Sequence, residues 1–259
     1  MGTSSAPASS RPRTRPGAPR PSSRRPRTIT IRTWSRGSPR ASARRCGASI
    51  SESCPRANCC KLEECSRVVK IGVLAVQGDV IEHRAILRRL GVADVEVRLP
   101  GDLAGVDGLI LPGGESTTIG KLMVRYGLDR AIPEQVRRGM ALYGTCAGMI
   151  LMARRAAGGE PPMLRLMDIT VIRNAYGRQV DSFETDLDVP VFGPPPLRAV
   201  FIRAPVMDQA GPGVEVLASL DGRPVLAREG RLLVSSFHPE LAPDDRVHRY
   251  FLDVIRADT

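Results

Sequence analysis

Met140-Ala-Leu-Tyr-Gly-Thr-Cys-Ala-Gly-Met149 is the stretch that decides how this chain folds. The apolar run from Met140 to Tyr143 ends at Gly144. Cys146 stands between Gly144 and Gly148, and a helix-forming run over 149–157 follows. This predicts a strand, a sharp turn and a helix, with a thiol at the turn. The Gly-x-Cys-x-Gly spacing suits an elbow in which larger flanking side chains would collide with a strained backbone. A cysteine there gains twice. The start of a helix favours a thiolate, and the N–H groups that follow are placed to bind an oxyanion. The alternative is a buried, inert cysteine packed beside small residues, which is the usual state of a free thiol. Residues further along the chain decide against it.

Upstream, residues 68–76 form a nearly continuous apolar run, as expected of a strand buried on both faces of a parallel sheet. Gln77-Gly78-Asp79 reads as a turn. Asp79 is placed to cap a helix over 80–90 that ends at Gly91. Strands are expected over 95–99 and 107–112. The second runs into Gly113-Gly-Glu-Ser-Thr-Thr118, where Ser116 or Thr117 can start another helix. A helix over 132–138 leads into the Cys146 strand. This alternation predicts an α/β fold with a doubly wound sheet and a site at the C-terminal edge of its strands. The second half reads as strand-rich, with strands over 168–173, 199–204, 214–219, 224–228 and 231–237. A last helix is expected over 244–255.

Charge and cysteine are distributed unevenly. Residues 1–66 carry thirteen Arg and one Lys against three Glu, which accounts for the whole formal charge of +11. The remaining residues balance, so the folded part is not expected to bind nucleic acid, despite the basic pI of the full chain. Five of the six cysteines also lie in 1–66, in spacings that match no zinc pattern. Cys146 stands alone in the body, which precludes a disulfide framework there and fits a reducing, cytoplasmic setting. No apolar run approaches the roughly 20 residues of a membrane span. Two segments are therefore expected: a disordered Arg/Pro/Ser-rich extension over 1–66 and one domain over 67–259. The extension has the composition of a transit peptide or a basic arm. We read it as translated upstream sequence outside the function.

The body contains three histidines. His238 follows an apolar strand in Ser235-Ser-Phe-His-Pro-Glu-Leu241, and Glu240 comes two residues later. In an extended segment i and i+2 share a side, so the Glu240 carboxylate can reach the His238 ring. That supplies the base and its orienting acid for a cysteine nucleophile. His83, on the first helix, is expected to lie at the surface or to pack rather than to react, and His248 is expected at the surface. Pro112-Gly-Gly-Glu-Ser116 is a strand-end loop whose glycines permit close backbone approach. Arg173 and Arg203 each follow an apolar run and can clamp a carboxylate with a planar fork.

Gly144-Thr-Cys-Ala-Gly148 together with His238-Pro-Glu240 resembles the class I glutamine amidotransferases. The chain is similar, more narrowly, to the PdxT/SNO family, the glutaminase subunits of two-subunit pyridoxal 5′-phosphate synthase. The resemblance is carried by Gln77-Gly78 with Glu82-His83, Leu111-Pro-Gly-Gly-Glu-Ser-Thr-Thr118, Phe201-Ile-Arg-Ala-Pro205 and the block Arg173-Asn-Ala-Tyr-Gly-Arg-Gln-Val-Asp-Ser-Phe-Glu184. It implies a mixed, doubly wound sheet and the hydrolysis of L-glutamine to glutamate and ammonia. Cys146 would be the nucleophile, His238 the general base and acid, and Glu240 the orienter. Gly114, Glu115, Ser116, Arg173, Ile202 and Arg203 would hold glutamine, with backbone N–H groups near Gly114 and Ala147 as the oxyanion hole. The implied partner is a PdxS/SNZ-type synthase subunit that accepts the ammonia. No metal or cofactor is expected. The rival expectations are an amidotransferase serving another synthase and an inactive, nucleic-acid-binding relative. A chain beginning at Arg67 should keep full ammonia release from glutamine; a large loss on truncation would refute the assignment of 1–66.

Overall fold

The computed structural model describes residues 2, 68–159, 161–173 and 182–257. The extension over 3–66 and its five cysteines lie outside the described residues. So does the segment 174–181 of the family block.

Seven strands form the central sheet: β1 (Lys70–Leu74), β2 (Ala93–Val97), β3 (Gly108–Leu111), β4 (Ala141–Thr145), β10 (Glu215–Leu220), β11 (Arg223–Glu229) and β12 (Leu232–Ser235). Their order is β10-β11-β12-β4-β3-β1-β2. The pairs from β12 to β2 are parallel, and β11 and β10 extend the sheet antiparallel. The expected doubly wound, mixed sheet is therefore present. A three-stranded sheet of β5 (Ala153–Ala157), β6 (Met167–Ile172) and β9 (Val206–Ala210) and a ribbon of β7 (Phe183–Leu187) and β8 (Leu197–Phe201) complete the strands.

The period-two alternation of the central strands feeds two cores, one on each face. Leu109, Leu111 and Leu142 enter one cluster with Ile119 and Ile132, from α2 (Ser116–Tyr126) and α3 (Leu128–Arg137). Ile110, Ala141 and Tyr143 enter the other with Leu87 of α1 (Val80–Arg89) and Phe251 of α5 (Arg246–Arg256). Among the described residues no helix is long and apolar enough to cross a membrane.

Several expected elements shift. The run over 149–157 is not one helix: α4 (Ala147–Met152) stops after six residues, and 153–157 become β5, paired parallel with β6. The carbonyls of Leu151 and Met152 accept from Leu164 and Leu166 instead of from a continuing helix. Sheet pairing outweighs the helix preference of an Ala/Arg sequence. β2 ends at Val97 because the N–H groups of Arg98 and Leu99 donate to the Asp102 carboxylate. Strands β7 and β9 were not expected. Each has exposed polar positions and gains its apolar partner only in three dimensions, as where Phe183 stacks on Phe201 at 4.8 Å. Asp79 occupies the N-cap position of α1 but makes no side-chain cap bond. His248 is fully buried rather than at the surface. It shares the i, i+3, i+4, i+7 stripe of Phe251, Leu252 and Ile255, so helical periodicity places it inside.

The elbow depends on how closely α4 seats against the sheet. A Cβ on Gly144 would stand 2.6 Å from the Gly148 carbonyl carbon, and one on Gly148 would overlap the Leu111 carbonyl oxygen. Gly148→Ala forces β3 and α4 apart and should cost at least about 2 kcal/mol. In a thermal melt that is a fall of roughly 4–8 °C; an unchanged melting temperature would show that the two backbones are free to separate.

Candidate active site

A cavity of about 430 Å³ opens at the C-terminal edge of the parallel strands. The loops after β1, β3, β4 and β12 supply Gln77 and Asp79, Gly114 to Ser116, Ala147, and His238 to its lining, and Arg173, Ile202 and Arg203 close another side. All six residues expected to hold glutamine therefore face one cleft, with His238 beside them.

Cys146 lies at the turn between β4 and α4 with φ 46° and ψ −98°, a left-handed conformation that a side chain tolerates only under strain. Its N–H donates to the Ser235 carbonyl at 2.8 Å, which ties the elbow to β12. The residue is 8% exposed, and its sulfur lies 3.9 Å from the Ile202 carbonyl oxygen. Ala147 is the first helical residue, so its N–H has no acceptor within the helix.

His238 is the hub. Its Nδ1 lies 2.7 Å from Glu240 Oε1 and 3.4 Å from Asp79 Oδ2, and the Cys146 side chain is a further neighbour that favours the charged ring. The expected meeting of His238 and Glu240 occurs, but through a 3-10 turn, Pro239–Leu241, not an extended segment. Burial alone would lower the His238 pKa. Its neighbours Asp79, Cys146 and Glu240 outweigh that and push it up to about 12. Burial raises the Glu240 pKa, against the pull of the His238 hydrogen bond. The ring also explains the first glycine of the Gly113-Gly114 pair: a Cβ on Gly113 would come within 2.9 Å of Nδ1. The glycine makes room for the histidine.

Glu115 is the N-cap of α2. Its carboxylate accepts from the N–H groups of Thr117 at 3.0 Å and Thr118 at 2.6 Å. The helix is thus capped by the residue before the expected Ser116 or Thr117. Arg173, at the end of β6, donates to the Gly159 carbonyl at 2.9 Å and to Thr117 Oγ1 at 3.2 Å. These bonds fix its guanidinium at the cleft wall. Arg203 is exposed at the rim with φ 44°.

Two lining residues were read differently from sequence. Asp79 looked like a helix cap, yet its carboxylate turns to His238. Gln77 looked like part of a turn, yet its Oε1 accepts from the Glu115 N–H at 2.8 Å and joins the β1 loop to the β3 loop. Both follow a parallel strand at the edge where ligands bind, which was the available signal. The donor atoms of Asp79, His238 and Glu240 also fall within 4.8 Å of one another, close enough to hold a cation. Nδ1 of His238 is already engaged by Glu240.

A buried thiol on a strand–helix elbow, met by a histidine and its glutamate across a doubly wound sheet, is the frame of a class I glutamine amidotransferase. The chain belongs to the SNO glutamine amidotransferase family, whose profile matches residues 73–257. It is 59% identical over 186 residues to "Pyridoxal 5'-phosphate synthase subunit PdxT" of Herpetosiphon aurantiacus, covering 70% of this chain and 98% of that one. It is 54% identical over 185 residues to the protein of the same name from Pelotomaculum thermopropionicum, covering 71% and 94%. A crystal structure described as a glutamine amidotransferase superposes with a TM-score of 0.68 at 52% identity, over 71% of this chain and 98% of the other.

The Glu115 hydrogen bonds carry a pH signature. Led by the Thr118 hydroxyl, they hold its carboxyl down at about 2, below the ordinary glutamate value of 4.5. A depressed folded-state pKa stabilises above the unfolded value and loses that contribution as pH falls through the folded one. The melting-temperature advantage of the wild type over Glu115→Gln should therefore be full above pH 4.5 and shrink as pH falls towards 2. A gap that stays constant across that window would refute the cap.

Proposed function

We propose that this chain is the glutaminase subunit of a pyridoxal 5′-phosphate synthase, hydrolysing L-glutamine to L-glutamate and passing the ammonia to a PdxS/SNZ-type synthase subunit. The observation that carries this reading is the His238 ring, held at 2.7 Å by a buried Glu240 in the cleft lined by Ala147 of the cysteine elbow, with the Cys146 side chain among the groups that favour its charged form. The names of the relatives, matched over nearly their whole length, supply the acceptor.

The Cys146 sulfur attacks the side-chain amide carbon of glutamine as a thiolate, with the proton of the pair held on His238. Backbone N–H groups near Gly114 and Ala147 hold the oxyanion. His238 gives its proton to the leaving nitrogen, the C–N bond breaks, and ammonia departs from a γ-glutamyl thioester. Water then attacks the thioester, His238 takes a proton from it and keeps it, and the C–S bond breaks to release glutamate and the thiolate. Glu240 holds the ring in position and favours its charged form, as the acid of a triad does.

Arg173 and Arg203 are suited to the α-carboxylate of the substrate. The anionic Glu115 is suited to its α-ammonium, and Ile202 with the Gly114–Ser116 backbone packs along the stem. Residues 67–259 form the functional unit in this reading, and residues 1–66 lie outside the reaction. The free Cys146 thiol fits a reducing, cytoplasmic setting.

Cys146→Ala should lower ammonia release from glutamine by at least about a thousandfold, without changing the melting temperature or co-purification with the synthase subunit. Hydrolysis retained by this variant would overturn the nucleophile assignment. Failure of the pair to form pyridoxal 5′-phosphate from glutamine would overturn the choice of acceptor.

A further inference from the structure

The triad does not end at Glu240. Only one oxygen of that buried carboxylate is spoken for. Oε1 meets His238, while Oε2 is buried with no hydrogen-bond partner at normal distance. What faces it is Nε2 of His83, at 3.6 Å. His83 projects from α1 and is fully buried. The same Nε2 lies 3.3 Å from Oγ1 of Thr145, the residue before the nucleophile. On its far side, Nδ1 lies 3.0 Å from Nε2 of His248, which is equally buried on α5.

The protonation pattern of this chain follows from its two ends. Burial lowers the pKa of His83 well below its ordinary value, and neighbouring His248 and His238 lower it further. Burial takes His248 down to about 4, against Asp245 and with Arg89. Both rings are therefore neutral near pH 7, with one N–H each. If His83 carried its proton on Nδ1, its bare Nε2 would point a lone pair at the Glu240 carboxylate, and His248 would be left with a buried, orphaned N–H at Nδ1. With the proton on Nε2 in both rings, His248 donates to His83, and His83 donates towards Glu240 Oε2 and Thr145. The unpartnered atom is then the bare lone pair of His248 Nδ1, which is the atom found without a partner. Orphaned donors cost more than unused lone pairs, so the second arrangement prevails.

We propose that His83, fixed by His248, is a positioning residue for the reaction, directing its Nε2–H at the second oxygen of Glu240 and so holding that carboxylate in line with His238. This rests on the triad roles given above. A carboxylate with one oxygen unfixed in an apolar pocket can rotate away from the ring, and its ionised form loses the donor that opposes desolvation. Glu240 has His238, His83 and the Asp79 carboxylate around it, with Tyr143 also feeling its charge. Among these, His83 is the group aimed at Oε2.

Three measurements on the full chain, assayed with its synthase partner, test this. In His83→Phe, which keeps a ring but no donor, kcat should fall about ten- to hundredfold, with KM within about twofold. The lower limb of its pH–rate profile should move up by about one unit as Glu240 becomes easier to protonate. His83→Gln, whose amide N–H can replace Nε2–H, should recover most of the rate and the pH profile. In the wild type, ¹⁵N shifts of the histidine rings should show neutral, Nε2-protonated tautomers for His83 and His248. This reading survives a folding failure of either variant. An unchanged rate and pH profile in His83→Phe, equal losses in the Phe and Gln variants without a pH shift, or an Nδ1-protonated or charged His83 would each overturn the proposal. None of these outcomes bears on the Cys146→Ala result, so the triad and its extension can fail separately.

Discussion

His238 keeps its proton in a place that opposes charge, and most of the site's construction follows from that. Burial works against an imidazolium. Glu240, Asp79 and the Cys146 side chain overcome it from three different loops. Each must arrive with little freedom. Glu240 is delivered by a 3-10 turn directly after β12, Asp79 gives up its helix-capping role to face the ring, and Gly113 leaves out a side chain so that the ring can sit against the backbone. Asp79 illustrates the exchange well. A cap bond is worth about 1 kcal/mol to a helix, and here that carboxylate serves the charge of the histidine instead.

The sheet makes the convergence automatic. β4 lies between β3 and β12, so the residues just beyond each strand are neighbours, although the chain separates them widely. Thr145 is level with Ser235, which sets Cys146 opposite the segment leading to His238. The two hydrophobic cores, one per face, fix the strand register, because a slip of one residue would exchange Leu109 and Leu111 with Ile110 between them.

The parallel strands, the elbow and the His238–Glu240 pair were legible in the sequence because local pattern determines them. Apolar runs, paired glycines and a two-residue spacing each have one dominant structural meaning. Other features were not legible for a common reason. The strand over Ala153–Ala157 has a helix-favouring composition and becomes a strand only because β6 lies beside it. Phe183–Leu187 alternates with polar residues and shows its apolar side only against Phe201. Asp79 matched a cap signal that a distant imidazole overrode. His83 and His248 differ, since each lies on its helix's apolar stripe with Ile86 and Leu87, or with Phe251 and Leu252. The signal was there, but His248 was expected at the surface and packing was only one of two expectations for His83.

The strain at Cys146 has a consequence for control. Its N–H is tied to β12, its helix is seated against β3 at Gly148 and against β4 at Gly144, and its backbone already sits in an unfavourable region. Displacing the sulfur would require breaking the centre of the sheet. The rim is built differently: Gln77, Asp79 and Ile202 are part-exposed on loops, and Arg203 is exposed. Among the described residues, those edges are the parts of the site open to adjustment from outside. Turnover would then be adjusted by reshaping the doorway around an immovable nucleophile.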